Sequence, residues 1–311
     1  MWRNQVRDKL LNTRNCEISC SKDEHENCSI LGADGLPVQC VGSWVEDKYF
    51  FLEKYLNASC EVRRQFADKG NAVFIDLFSG PGRCVLRGEN KEIDSGGLRA
   101  SLREEALFNE FYFCDKHSVN LNAFKKRVNK DLNCFFKCGD ANEAVASLAR
   151  KLLRSPYKYH FAFIDPFGPD GLKFTTLAEL ARLQRMDMLI HFPIGSIKRN
   201  IPKWLKSGGK ILDDYLGTDI WRDKINKSPV DVYKILIEIF KDQLMKIDYP
   251  KDGLNLVQSE NVYTGLPVVS VKNTQNVDLY VLILASKHGL GQKIWNSVIR
   301  YNPDGQRTFN F

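Results

Sequence analysis

Long apolar runs are missing from this 311-residue chain. No stretch reaches the roughly eighteen consecutive apolar residues that a membrane-spanning helix needs. The N-terminal segment also lacks the apolar core of a signal peptide, because charged side chains from Arg3 to Arg14 interrupt it. These absences predict a cytoplasmic location and no membrane partner.

A standard cysteine pattern is absent as well. The nine cysteines include no Cys-x2-Cys pair and several fall in predicted strands, which favours reduced thiols over a secreted disulfide framework. Residues 1–43 show little periodicity, and we interpret them as a Cys-containing N-terminal extension. A tetrahedral zinc ion could be held there by four thiolates, or by three with His25, the cysteines being Cys16, Cys20, Cys28 and Cys40. The alternative is ordinary reduced cysteines in an irregular arm.

Two nucleotide-binding signatures are also absent, the Gly-x-Gly-x-x-Gly dinucleotide fingerprint and the Walker loop. The chain has instead an apolar, strand-like run from Ala72 that ends in Asp76 and breaks into Ser79-Gly80-Pro81-Gly82. In a doubly wound sheet such a turn brings the backbone close to a ligand at the carboxyl ends of the strands. This turn is therefore the first predicted site.

Strand-like runs alternate with helical periodicity through most of the chain, which predicts a parallel α/β sheet. The runs are 73–78, 111–115, 134–138, 160–165, 188–192 and 279–285. A further run at 265–271 forms a hairpin with the last of these, so the last strand is expected to be antiparallel. The predicted fold class is α/β: a Rossmann-like, doubly wound, mostly parallel sheet with an antiparallel last strand and with N-terminal and helical additions. The predicted domain spans residues 44–311, with a helical insertion at about 196–250.

Several sequence blocks, in order, resemble one family, the three-Cys-motif partner proteins (TcmP). The blocks are Asp34–Pro37, Gly42–Lys48, Leu52–Leu56, Asp76–Gly82, Gly139–Asn142, Phe163–Gly168, Met186–Pro193 with Arg199, and Ser286–Trp295. One loop departs, since Ser95-Gly96-Gly97 stands where the family commonly has Gly-Ser-Pro. The family name refers to a companion protein with a three-cysteine motif, similar to radical S-adenosylmethionine enzymes. The resemblance implies such a partner and a class I methyltransferase-like fold, and it implies no substrate.

A class I site implies cofactor-binding residues at three strand ends. Those expected to contact S-adenosylmethionine are Asp76, Phe78, Gly80 and Gly82 at its methionine part, Asp115 at the ribose, and Asp140 with Ala141 at the adenine. The first motif, an acid followed by a Gly-x-Gly turn, looks like that of class I methyltransferases. For each of the three acids the alternative is a cap on the following helix.

The fourth predicted strand ends in Asp165-Pro166-Phe167-Gly168. An acid and a carbonyl can hold an exocyclic amine, and an aromatic ring can stack on a flat base. Asp165, Pro166 and Phe167 are therefore the catalytic candidates. The motif is similar to that of tRNA guanine N2-dimethyltransferases, which favours a nitrogen on a base. The alternative is that Pro166 and Gly168 simply end a buried strand and that Asp165 caps the next turn.

Substrate-binding candidates follow the fifth strand. His191 lies at the end of that strand beside Phe192-Pro193 and could meet the substrate, and the alternative for a lone histidine there is a structural role. Lys198, Arg199 and Lys203 belong to a basic run that contains Trp204 and no acid, a composition suited to phosphate contact. The alternative is a solvated helix face. A stripe in the helix before the sheet, containing Trp44, Lys48 and Tyr55, is predicted to serve core and lid packing.

The predicted function is an S-adenosylmethionine-dependent methyltransferase that acts on a nitrogen of a nucleic-acid base or a related nucleophile. The resemblance implies a three-Cys-motif radical enzyme as its companion. A non-catalytic Rossmann-like module that binds nucleic acid or a protein partner is the alternative. Apart from the zinc option, no metal site is predicted.

Overall fold

The computed structural model describes residues 27–28, 31–89, 91–228, 232–250, 268–272 and 278–300. Of the residues in the zinc option, Cys16, Cys20 and His25 lie outside these ranges. Cys28 and Cys40 pack with Val38 and Val85 in a small buried cluster. Within the described ranges, no group of three or more potential ligands could hold a metal ion. The zinc site therefore stays a prediction.

Strands and helices alternate along the described chain. The strands are β1 (Gln39–Val41), β2 (Ala72–Asp76), β3 (Arg83–Leu86), β4 (Glu92–Asp94), β5 (Glu110–Asp115), β6 (Cys134–Cys138), β7 (Tyr159–Ile164), β8 (Met186–Phe192), β9 (Val268–Lys272) and β10 (Asp278–Ser286). The helices are α1 (Val45–Ala58), α2 (Cys60–Ala67), α3 (Gly96–Leu102), α4 (Ser118–Arg127), α5 (Ala141–Leu152), α6 (Phe174–Ala181), α7 (Ile194–Ser207), α8 (Ile211–Leu216), α9 (Trp221–Lys227), α10 (Val232–Lys246) and α11 (Gly289–Val298).

Seven strands form the main sheet in the order β6-β5-β2-β7-β8-β10-β9. The strands from β6 to β8 pair in parallel, whereas β10 is antiparallel to both of its neighbours. This order confirms the predicted Rossmann-like, mostly parallel sheet with an antiparallel last strand. It is the arrangement known for class I methyltransferases.

Side chains of the sheet alternate between two apolar layers, one on each face. In β2, Val73 and Ile75 belong to one layer and Phe74 to the other. Helices α5 to α10 complete the first layer, and α1, α3, α4 and α11 complete the second. Because helices cover both faces, β2, β7 and β8 are buried along their whole length. Only the strand ends of this central region can face a ligand.

A second, smaller sheet corrects one expectation. Residues 83–97, which include none of the predicted strand-like runs, contain β3 and β4, which pair antiparallel, while β1 pairs with β3 in parallel. Two ion pairs hold this region together. Arg83 Nε of β3 lies 3.1 Å from Asp94 Oδ1 of β4, and Arg127 Nε of α4 lies 2.8 Å from Asp34 Oδ2, which precedes β1. The small sheet fixes the segment before α1 beside the carboxyl ends of the main sheet.

Helices α7 to α10 cover most of the region predicted as a helical insertion, and they pack on the first apolar layer. None of the helices in the described part of the chain is both long enough and apolar enough to cross a membrane.

Candidate active site

A cavity of about 390 Å³ opens where the strand order of the main sheet reverses. The chain leaves β2 toward β5 on one side and returns to β7 on the other, which is the switch point where open α/β sheets bind ligands. Strands and segment 39–49 share its wall. The predicted site residues that line it are Asp76, Phe78, Asp165, Pro166, Phe167, His191 and Arg199.

The turn after β2 requires its glycines for conformational reasons. The Gly80 amide donates a hydrogen bond to Asp115 Oδ2 at 2.9 Å, which fixes the turn against the end of β5. Gly80 and Gly82 have φ angles of +60° and +85°, a region that other residues rarely adopt. A Cβ on Gly82 would also lie 3.0 Å from the Phe124 ring. The glycine φ angles and the hydrogen bond to Asp115 therefore define the shape of this turn.

Asp76 is a buried carboxylate with no ion pair among the described residues. It is 2% exposed, and the Phe78 amide donates to its Oδ1 at 2.9 Å. Gly97 of α3 packs so close that an added Cβ would lie 2.3 Å from Oδ2. Burial raises the pKa of Asp76 to about 8. A ligand cation would compensate the negative charge that burial disfavours here.

Asp165, at the end of the neighbouring strand, is already compensated. Lys48 Nζ donates to both carboxylate oxygens, at 2.7 Å to Oδ1 and 2.6 Å to Oδ2. Lys48 was predicted to serve core and lid packing, and its contact with Asp165 makes it a site residue as well. Its ammonium lies 5.6 Å and 5.8 Å from the ring centroids of Tyr49 and Tyr280. The position of Lys48 within an apolar helix stripe was the signal available in the sequence.

His191 packs against the same carboxylate. Its Nδ1 lies 3.3 Å from Asp165 Oδ1 and 3.2 Å from the Pro166 carbonyl oxygen. The Tyr280 ring meets the imidazole edge to face, with centroids 4.6 Å apart. Burial lowers the pKa of His191 to about 4, Asp165 opposes this effect, and Lys48 adds to it. The histidine is therefore neutral near pH 7.

Two exposed aromatic rings stand at the cavity. Phe167 is 59% exposed and Trp44 is 39% exposed, and both line the cavity wall. The carbonyl of Trp44 accepts a hydrogen bond from Tyr280 Oη at 2.6 Å, which fixes the start of α1 against β10. Rings in such positions can pack on a flat group that enters the cavity.

The remaining predicted cofactor residues lie outside this cavity. Asp115 accepts from the amides of Gly80 and His117 and from Asn120 Nδ2. Asp140 caps α5 by accepting from the Asn142 amide at 2.7 Å, and Ala141 is the buried first residue of that helix. The observed contact of Asp140 is thus the helix cap that the sequence offered as the alternative, whereas Asp115 fixes the glycine turn.

The predicted basic run lies on α7, and its side chains extend from two different sides of that helix. Arg199 lines the cavity, Lys203 follows one turn later, and both are exposed. Lys206 continues this exposed face. Lys198 instead lies over the Tyr233 ring, 5.8 Å from its centroid. Arg199, Lys203 and Lys206 have no ion pair within the described part of the chain, so this face of α7 is available to an anion.

Two further polar groups of the cavity wall were missed. Arg87 Nε and Ser95 Oγ are buried and have no hydrogen-bond partner among the described residues. Arg87 follows β3 and Ser95 follows β4, the hairpin that the sequence did not predict. Buried donors without partners are uncommon in folded proteins, and they suit a ligand with acceptor groups.

No family model and no curated protein matches the chain. Among solved structures, it is similar to a Legionella pneumophila protein described by the family model DUF519, with 12% identity and a TM-score of 0.38 over 53% of this chain and 75% of that one. It is also similar to Trm1 from Pyrococcus horikoshii in complex with S-adenosyl-L-methionine, with 14% identity and a TM-score of 0.39 over 78% of this chain and 57% of that one. At these scores neither similarity extends to a function of this chain, and the fold class rests on the strand order.

Proposed function

We propose that the protein is an S-adenosylmethionine-dependent methyltransferase that methylates a nitrogen of a nucleic-acid base or a related planar nucleophile. The observation that carries this proposal is the pair of carboxylates, Asp76 and Asp165, at adjacent strand ends in one cavity. The first lacks a cation and stands beside the glycine turn. The second lies beside exposed aromatic rings.

The cavity residues fit the amino-acid end of the cofactor. Asp76 would receive the cofactor's ammonium group, which supplies the positive charge that this buried carboxylate lacks. Arg87 Nε and Ser95 Oγ, which have no hydrogen-bond partner among the described residues, would donate to the carboxylate of the cofactor. The cofactor, when bound, supplies an electrophilic methyl group on a sulfonium ion. Phe78 lines the same wall and would pack against its apolar part.

The acceptor would enter between Phe167 and Trp44, because a flat base can stack on exposed rings. Arg199 and Lys203 continue from this point along α7 and would contact phosphates. The resemblance to three-Cys-motif partner proteins adds a proposed partner, a three-Cys-motif protein similar to radical S-adenosylmethionine enzymes. Nucleic acid is the proposed substrate class.

Calorimetric titration with S-adenosylmethionine tests this function. The wild type is expected to bind, and Asp76→Asn is expected to weaken binding about 30-fold, because a charge-assisted hydrogen bond contributes roughly 2 kcal/mol. Asp170→Asn, which changes an exposed carboxylate outside the cavity, is the control and should bind like the wild type.

The acceptor is then sought with tritiated methyl donor and homopolymeric RNA and DNA of each base. Transfer to a polymer supports the methyltransferase. A wild type that binds these polymers and not the cofactor would contradict it and would favour the non-catalytic nucleic-acid module.

A further inference from the structure

The hydrogen bonds of His191 determine which of its ring nitrogens carries the proton. Nδ1 lies within 3.3 Å of Asp165 Oδ1 and 3.2 Å of the Pro166 carbonyl oxygen. A backbone carbonyl and a carboxylate are both acceptors, so Nδ1 must be the donor. The neutral imidazole therefore holds its proton on Nδ1, and Nε2 carries the lone pair.

The groups around the ring keep this state. Asp165 faces it from the end of β7, Lys48 from α1 through the same carboxylate, and Tyr280 from β10. Burial and the Lys48 ammonium disfavour a second proton on the ring, so the pKa of His191 lies near 4. Near pH 7 Nε2 therefore carries no proton, and its lone pair can accept one.

Nε2 is also the nitrogen that remains for a ligand. His191 lines the cavity, and the described residues give Nε2 no hydrogen bond. Asp165, by contrast, already accepts from Lys48 at both oxygens and lies against Nδ1. Its contacts are those of a group that orients a histidine, as carboxylates do in other histidine-dependent sites.

We propose that His191 Nε2 is the proton acceptor of the methyl transfer, and that Asp165 and Lys48 are positioning residues that hold its tautomer and orientation. This inference rests on the proposed function, and it changes the predicted role of Asp165 from direct contact with the acceptor amine to orientation of the base.

The step balances without another reactant. The lone pair of the acceptor nitrogen forms the bond to the methyl carbon while the carbon–sulfur bond breaks, and its electrons return to sulfur. The nitrogen loses its proton to Nε2, which leaves S-adenosylhomocysteine, the methylated amine and an imidazolium. The Nδ1–H of that imidazolium faces Asp165, and its new proton then passes to solvent. A weak base suffices, because a ring-conjugated amine becomes strongly acidic when it is methylated.

Nitrogen-15 NMR of the imidazole groups tests the tautomer in the whole protein with S-adenosylhomocysteine added, with the His191 signals assigned from His191→Gln. The expected wild-type result at pH 7 is a protonated Nδ1 and a bare Nε2. Asp165→Asn replaces one of the two acceptors of Nδ1 with an amide that can also donate, while the Pro166 carbonyl remains, so the Nε2–H tautomer is expected to become populated beside the Nδ1–H tautomer. Lys48→Met should retain the Nδ1 proton and raise the pKa of His191, because it removes a nearby cation.

Kinetics tests the proton transfer, with the polymer that accepts methyl groups from the wild type. His191→Gln is expected to lower kcat about 100-fold and to change cofactor affinity less than 2-fold. The acid limb of the kcat profile should disappear with it. A wild-type Nε2–H tautomer, or an unchanged kcat in His191→Gln, would overturn the inference even if methyl transfer occurs. Absence of both cofactor binding and methyl transfer in a wild type with the expected tautomer would instead overturn the proposed function, and this inference with it.

Discussion

Asp76 and Asp165 end adjacent strands and line one cavity, yet their surroundings are opposite. Asp76 has one backbone donor and no ion pair within the described structure, whereas Asp165 has the Lys48 ammonium at both oxygens and His191 beside it. Burial without a cationic partner keeps Asp76 protonated near pH 7, and its ionised form destabilises the fold unless a ligand supplies the partner. This difference supports the proposals that the Asp76 end receives a cationic ligand and that the Asp165 end orients protein groups.

The largest effect is expected on the free energy of unfolding when Asp76 is replaced by a residue that cannot ionise. The native state keeps a proton on Asp76 up to about pH 8, whereas the unfolded chain loses it near pH 3.8. The contribution of Asp76 to the free energy of unfolding therefore falls as pH rises between these values. Asp76→Asn should remove this contribution, while those of the other acids whose pKa burial raises, Asp115 and Asp187, remain. At pH 7 the variant should be more stable by on the order of 4 kcal/mol.

Urea unfolding at pH 5, 7 and 8 measures this difference. Parallel wild-type and variant curves across that range would contradict it. The combination of higher stability with weaker cofactor binding would mark Asp76 as a residue retained for its ligand.

A smaller effect is expected when the Asp165 end is made to resemble the Asp76 end. Lys48→Met leaves the Asp165 carboxylate without its ammonium partner, and unfolding should become easier by about 3 kcal/mol. The double variant Lys48→Met with Asp165→Asn should recover most of this loss, since no buried charge remains. Lys54→Met, on the same helix and away from the cavity, removes a cation that lies 5.4 Å from the centroid of the Phe50 ring and should cost no more than about 1 kcal/mol.

A double-mutant cycle from urea unfolding separates these terms. Additive effects of the two substitutions would show that the ion pair contributes nothing, and the two carboxylates would then not differ as described.

The smallest effect concerns the surface beyond the two carboxylates. Lys203→Met should lower the affinity for single-stranded RNA several-fold at low salt and reduce the slope of log affinity against log salt by about 1. Lys198→Met is the matched control on the same helix, and its effect should be smaller because Lys198 lies over Tyr233. Equal effects of both substitutions would indicate that RNA responds only to the net charge of the protein, and they would contradict a binding face on α7.

The sequence predicted the main sheet well because its strands are apolar runs with clear ends. The run predicted at 134–138 is β6, and the run at 111–115 lies within β5. The hairpin of β3 and β4 was missed because β4 has three residues and carries two acids, a pattern typical of a loop. Short edge elements depend on pairing partners, which a local pattern does not contain.

The site was predictable at strand ends and not elsewhere. Asp76 and Asp165 each close an apolar run and His191 is the penultimate residue of β8, and strand ends of this kind converge at one edge of a parallel sheet. Lys48 reaches Asp165 across 117 residues of sequence, and Arg87 reaches the cavity through the unpredicted hairpin. Contacts of that separation leave no periodic signal.

The hydrogen bond from Tyr280 to the Trp44 carbonyl joins residues 236 positions apart. During synthesis the helix that carries Lys48 emerges before the strands of the main sheet, and β10, which fixes the start of that helix, emerges after the other described strands. The cavity wall is therefore completed only after β10 has added to the sheet, so the nascent chain can hold a nearly finished sheet before it holds a finished site.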